Sequence, residues 1–205
     1  FEGGVDLSLS VIAGAVDFSN AVFDREGFFV QSLFEQPVKF QHTAFGTHTR
    51  FHRAIFHDTV SFQEAKFTGL SEMLEVVYQQ GANFSGAFFN MGAGFSGSEF
   101  RGRLDFSGAT FQREVFFLFS LFEKEASFKN ATFRGEADFS DANFNASDEF
   151  TGTIFAVEPR FSRTKFSGTR PTGLGKQDPW LLYGMAGVLF IFAGWLIYLV
   201  RRKQA

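Results

Sequence analysis

Phenylalanine recurs along this chain at a step of eleven, at positions 18, 29, 40, 51, 62, 84, 95, 106, 117, 128, 139, 150 and 161, with Met73 in the one gap. A second series runs 23, 34, 45, 56, 67, 89, 100, 111, 122, 133, 144, 155 and 166, with Tyr78 in its gap. Phe fills 26 of the 28 slots, and the spacing alternates five and six without a slip. Leu7 and Ile12 extend both series toward the N-terminus. So strict a period means a repeat architecture before it means a site. It also accounts for 33 Phe against 3 Tyr and 2 Trp in 205 residues.

The neighbours repeat as well. Two residues before each Phe stands a small or β-branched residue, such as Val38, Ala54, Val60, Ala82, Ala93 or Ala126. Ser or Thr often follows the Phe, and then Gly, as in Ser85-Gly86, Ser96-Gly97 and Ser107-Gly108. A helix of 3.6 residues per turn places positions five apart on opposing sides, so a helical period does not fit. One small and one large residue two apart, both pointing inward, fit a short extended segment. A turn must then follow every five or six residues. The chain is expected to wind as a solenoid, each short side giving one Phe and one small residue to a central column.

The stretches Ala82-Asn83-Phe84-Ser85-Gly86, Leu104-Asp105-Phe106-Ser107-Gly108 and Ala137-Asp138-Phe139-Ser140-Asp141 resemble pentapeptide repeats, whose pattern is small, Asp/Asn, Leu/Phe, Ser/Thr, Gly. The resemblance covers about residues 5 to 168. It implies an all-β fold, a right-handed quadrilateral parallel β-helix with four five-residue sides per coil. This sequence departs by one inserted residue in every second repeat, a slot held by Glu26, Glu114, Glu125, Glu136 and Glu158. Sides of 5, 6, 5 and 6 residues predict 22 residues per coil. The alternative is 11 per coil, with two Phe opposed across a narrow tube. Four Phe interleaved with four small residues fill a square better, which favours 22. Each buried Phe contributes about 1.5–3 kcal/mol, and rings about 4.8 Å apart can stack within a column. Roughly seven coils give a rod of about 35 Å. Met73 and Tyr78 interrupt both series, so a bulge or irregular coil is expected near residues 70–80.

The composition changes after Phe166. Residues 169–179 read as a linker rich in Gly, Pro and polar groups. Residues 180–200, WLLYGMAGVLFIFAGWLIYLV, carry no charge over 21 positions and predict one C-terminal transmembrane helix. Trp180, Tyr183, Trp195 and Tyr198 mark its interfaces, and a basic tail, 201–205, follows. Gly184, Gly187 and Gly194 fall on one face of that helix, where small residues let another helix approach. The basic residues favour a cytoplasmic C-terminus with the solenoid, residues 1–168, on the extracytoplasmic side, periplasmic or luminal. A cytosolic solenoid with a tail anchor is the alternative. Phe1 is already in repeat phase, so a removed signal peptide or a further upstream segment is expected.

Nothing in the sequence predicts catalysis. There is no cysteine, no nucleophile motif and no phosphate or dinucleotide loop. No cofactor and no metal are expected. His42, His48, His52 and His57 cluster in sequence, but their spacing matches no ligand motif and reads as solvated surface. The sequons at Asn83, Asn130 and Asn145 are expected by chance in a repeat this rich in Asn and Ser. Apolar residues at outward positions are more informative. Leu33, Ile55 and Val77 fall on one side of a 22-residue coil with Leu121 further along, and Phe116 and Leu118 lie outside the inward set. Exposed apolar patches mark partner surfaces; local packing under a loop is the alternative.

The sequence thus predicts a membrane-anchored structural or protein-interaction module, an accessory subunit of a membrane protein complex, with the lipid bilayer and other subunits as partners. The resemblance supplies two alternatives. Some pentapeptide-repeat proteins mimic DNA and bind gyrase, but residues 1–170 hold only 21 acidic against 15 basic groups, a balance of −6 (15 − 21). Others are fused to pore domains, which suggests an accessory subunit of an oligomeric ion channel. Nucleic acid itself is not an expected partner, since the net charge of −3 leaves no basic footprint.

Overall fold

The computed structural model describes residues 3–168. Within them the chain is an all-β parallel solenoid of about seven turns. It is built from two- and three-residue strands that stack into four sheets. Face 1 runs from Val5–Asp6 to Ala137–Asp138, and face 2 from Val11–Ile12 to Lys165–Phe166. Face 3 runs from Val16–Asp17 to Asp148–Glu149, and face 4 from Val22–Phe23 to Ile154–Phe155. Every neighbouring pair of strands is parallel and offset by 22 residues, as in Val60↔Ala82, Leu104↔Ala126 and Phe111↔Phe133.

The coil period is therefore 22, and packing gives the reason. Phe84 stacks on Phe106 with centroids 4.6 Å apart and rings 14° from parallel, and Phe106 stacks on Phe128 at 5.6 Å. Phe84 and Phe95 instead meet edge to face, 5.6 Å apart at 86°, because they come from faces 3 and 1 across the core. Vertical neighbours are stacked and lateral neighbours tilted, both arrangements that aromatic quadrupoles favour. The interior is a single column of Phe and small residues, with Phe29, Phe62, Ala65, Ala87 and Phe95 all fully buried.

The five-residue and six-residue corners differ in kind. In the corners after faces 1 and 3, the residue two past the core Phe has positive φ, as at Asn20, Arg53, Gly97 and Phe119. The fourth residue's N–H donates back to the Phe carbonyl, as from Ala21 to Phe18 at 2.9 Å. A positive φ at the third residue is the signature of a type II turn. The Asp or Asn before the Phe serves these turns directly. The carboxylates of Asp105 and Asp138 and the amide oxygen of Asn83 accept the N–H of Ser107, Ser140 and Ser85 at 2.7 to 2.8 Å. Several inward hydroxyls donate to a carbonyl one coil down, as Thr43 does to Phe18, Ser98 to Met73 and Ser120 to Phe95. The six-residue corners hold the inserted slot at two different places. Glu114 and Glu136 lie between faces 4 and 1 and Glu26 opens a face 1 strand at the same place, whereas Glu125 lies between faces 2 and 3. They do not share the one turn position expected from the sequence.

No bulge forms at residues 70–80. Leu70, Ser71 and Glu72 pair in register with His48, Thr49 and Arg50, and Val77 and Tyr78 pair with Ile55 and Phe56. Tyr78 is buried and stacks on Phe100 at 4.8 Å. Its hydroxyl donates to the Met73 sulfur at 3.7 Å. Burial pushes that hydroxyl's pKa up, so it stays a neutral donor. The two exceptions to the Phe rule thus compensate each other: Tyr adds an oxygen at the ring tip, and Met supplies slack and a weak acceptor. Met73→Phe alone should then cost about 1–3 kcal/mol by overpacking, and Tyr78→Phe alone less than about 1.5 kcal/mol. The double change should recover most of the loss. Urea denaturation of the four proteins checks this, and additive losses would refute the compensation.

Candidate interaction surface

Register stacks Val11, Leu33, Ile55 and Val77 in one outward column on face 2, followed by Glu99 and Leu121. Leu33, Ile55, Val77 and Leu121 are half-buried, and Val11 is 65% exposed. Phe116 and Leu118, on face 1, are half-buried too. Phe116 stands above Gly94 in register. A Cβ at Gly94 would lie 2.8 Å from Leu74 Cδ2, so Leu74 occupies the space that a side chain there would take.

Phe119 lies between Leu118 and Leu121 on one coil, with Glu99 separating that coil from Val77. It sits on the corner between faces 1 and 2, is 67% exposed and holds φ at 57°. A bulky residue at positive φ is strained by about 1–2 kcal/mol. Phe119 contributes nothing to the core in return. The sequence reading passed over it, although a signal exists: Phe119 is out of phase with both Phe series and aligns with Gly97 and Asp141. Phe116, Leu118, Phe119 and Leu121 thus make every outward position of one coil, from face 1 round to face 2, apolar.

The opposite edge of the rod, between faces 3 and 4, has another character. Its flanking residues include Gln41, Gln63, Ser85, Ser107 and Lys129, and the outward column of face 3 includes Asp17, Lys39, Ser61 and Asn83. The rod carries charged residues on the edge between faces 1 and 2 as well, among them Arg53, Glu75 and Asp141. Its charges pair mainly along the axis, as in Arg53 with Glu75 at 2.7 Å and Arg103 with Glu125 at 3.1 Å, both separated by one coil. Exposed pairs of this kind stabilise little individually.

The histidines are spread over the surface. His48 lies 2.8 Å from the Glu72 carboxylate and His42 lies 3.4 Å from Glu64. Burial alone would raise the Glu72 pKa, but hydrogen bonds from Arg50 and His48 hold it below its usual value. Among the described residues no group of three or more His, Asp or Glu is placed to hold a metal. The openings along the faces are shallow. One of about 300 Å³ on face 1 is lined by Val30, Arg50, His52, Glu72 and Leu74, with the Arg50 guanidinium 5.4 Å from the Phe28 ring centre.

The family model for pentapeptide repeats, in nine copies, matches residues 62–110 and 106–154. The coils are pentapeptide repeats. The matched residues lie inside the regular part of the solenoid, and the same register runs on through the coils before and after them. A pentapeptide-repeat solenoid is a module of the protein-interaction type. No curated protein and no solved structure matches the chain. Among the described residues no helix is long and apolar enough to cross a membrane. The linker 169–179, the predicted span 180–200 with Gly184, Gly187 and Gly194, and the tail 201–205 lie outside the described residues.

Proposed function

We propose that this pentapeptide-repeat chain is a membrane-anchored interaction module, an accessory subunit of a membrane protein complex, which docks through the edge between faces 1 and 2. The exposed Phe119 carries this reading, because its ring lies on the surface and adds nothing to the core. Large aromatic residues surrounded by smaller apolar contacts are the usual anchors of protein interfaces. Phe116, Leu118 and Leu121 extend the apolar surface around the Phe119 coil, and Leu33, Ile55 and Val77 form a second apolar stretch in the same column beyond Glu99. The uncharged run 180–200 supports a membrane anchor, and Gly184, Gly187 and Gly194 support packing of that anchor against other membrane helices. The basic residues at 201–203 favour an extracytoplasmic solenoid.

The test is a photo-crosslinking residue at position 119 of the full chain, expressed in its native membrane and extracted in mild detergent. A crosslinked adduct with an integral membrane protein is expected. Leu33→Asp with Ile55→Asp should abolish co-purification of that protein while leaving the solenoid's unfolding midpoint within a few degrees, since both side chains lie outside the Phe columns. Recovery of a lone monomer without adduct would sink the proposal. Unfolding by the two Asp changes would place Leu33 and Ile55 in the core instead.

A further inference from the structure

The outward column of face 1 and the corner beside it change character in step, one coil at a time. Register stacks Glu72, Gly94, Phe116, Asp138 and Arg160 on face 1. The positive-φ position of the corner between faces 1 and 2 holds Glu75, Gly97, Phe119, Asp141 and Arg163 over the same coils. Each coil thus presents a matched pair: Glu with Glu, Gly with Gly, Phe with Phe, Asp with Asp, Arg with Arg. The Phe pair is the middle one. Two coils below it the edge is acidic, and two coils above it is basic.

This order is self-complementary. A two-fold axis lying across the edge at the Phe coil turns a second rod end for end, so that coils above the axis meet coils equally far below it. Arg160 and Arg163 then face the second copy's Glu72 and Glu75. Asp138 and Asp141 fall opposite its Gly94 and Gly97, and Asn143 on face 2 falls opposite its Glu99, so none of these carboxylates meets another. Phe116, Leu118, Phe119 and Leu121 meet their own copies at the centre. Moving the axis one coil down sets the Phe pair against Glu, and one coil up against Arg. A parallel pairing sets every charge against its like. The sequence of pairs therefore selects one orientation and one register.

The charges keep capacity for a second partner. Among the described residues Glu72 and Glu75 use only Oε2, toward His48, Arg50 and Arg53. Arg163 gives Nε and Nη2 to Asp141 and so keeps three of its five donors. The Arg160 and Arg163 side chains are 63% and 73% exposed. We propose that the partner on this edge is a second copy of the chain, paired antiparallel about a two-fold axis at Phe119, with Arg160 and Arg163 of each copy against Glu72 and Glu75 of the other. This rests on the reading of the edge as the docking surface and names the membrane-anchored protein that it meets.

The test puts benzoylphenylalanine at position 119 of the full chain in its membrane and reads the mass of the photo-adduct. An adduct of twice the chain's mass is expected. Glu75→Arg and Arg163→Glu should each lower its yield about tenfold, because like charges then meet. Co-expressing the two variants should restore the yield, since each supplies the charge that the other lacks; damage within one rod would not be rescued this way. With the crosslinker moved to position 118, Phe119→Asp should abolish the adduct. The fold accepts Asp there, because Asp141 holds the same corner conformation one coil above. Single reversals that keep the yield, or a co-expressed pair that does not recover it, overturn the two-fold pairing. An adduct with a different membrane protein overturns the second copy while the docking surface stands, and no adduct at all sinks both.

Discussion

Replacing Phe95 by Ala is expected to cost about 3–5 kcal/mol of folding free energy. Phe95 is fully buried, stacks on Phe117 at 5.0 Å and meets Phe84 and Phe106 edge to face at 5.6 and 5.3 Å. The rings around it are held in stacks of their own, and Ala93 and Ser98 beside it are too small to collapse into the space, which leaves Met73 one coil below as the one flexible neighbour. The cavity therefore stays open, and the loss falls at the upper end of the range for a large-to-small change. Phe88→Ala is the control: the same residue type, but outward on face 4 and half-buried. It should cost about 1 kcal/mol or less. Urea unfolding followed by circular dichroism compares the two. Equal losses would mean that the Phe columns are not what holds the coils together.

The second large effect is expected at Gly102. A Cβ there would fall 1.3 Å from the Gln80 carbonyl oxygen and 2.6 Å from the Gly81 nitrogen, both backbone atoms of the coil below. No rotamer relieves that contact; a backbone must move. The pairing explains the closeness, because Arg103–Asp105 runs three residues against Gly81–Asn83 where most rungs pair two. Gln80 and Lys124 occupy the same place in the coils before and after, so the six-residue corner can follow a looser path, but not at this rung. Gly102→Ala should cost about 3 kcal/mol or more, as for severe overpacking. Gly108→Ala is the comparison. Gly108 has φ of +66° but nothing within 4 Å of its absent Cβ, so only the positive-φ cost of about 1–2 kcal/mol applies. Thermal melts of the two variants decide the matter, and a Gly108 loss matching or exceeding that of Gly102 would show that conformation, not the close approach, selects glycine here.

Much of this protein was legible in its residue order. The strict alternation of five and six, with Phe in nearly every slot, pointed to a solenoid that buries every ring and favoured 22 residues per coil over 11. The 22-residue period followed from volume, and the 22-residue register in all four sheets agrees with it. The Asp/Asn–Phe–Ser pattern even marks the tight corners, because the side chain before the Phe must accept the N–H after it. These features are local or strictly periodic, so one coil specifies the next.

What escaped the sequence involves contacts between residues whose relation depends on side-chain reach or on the path of a corner. Met73 and Tyr78 looked like two defects and predicted a bulge; only their packing shows a hydroxyl donating to a sulfur with the backbone undisturbed. Phe119 looked like one Phe among 33, and the positive φ of its corner is what separates it from the core. The inserted Glu residues seemed to share one position, yet Glu125 turns a different corner from Glu26, Glu114 and Glu136, because each coil contains two six-residue corners. Periodicity determined which residues form the core, and side-chain volume then favoured 22 residues per coil over 11, since four Phe with four small residues fill a square section better than two Phe fill a narrow tube. Which outward side chains are strained, which corners press against the coil below and where two exceptions cancel were decided by the tertiary structure, because each depends on distances between successive coils that no single repeat contains.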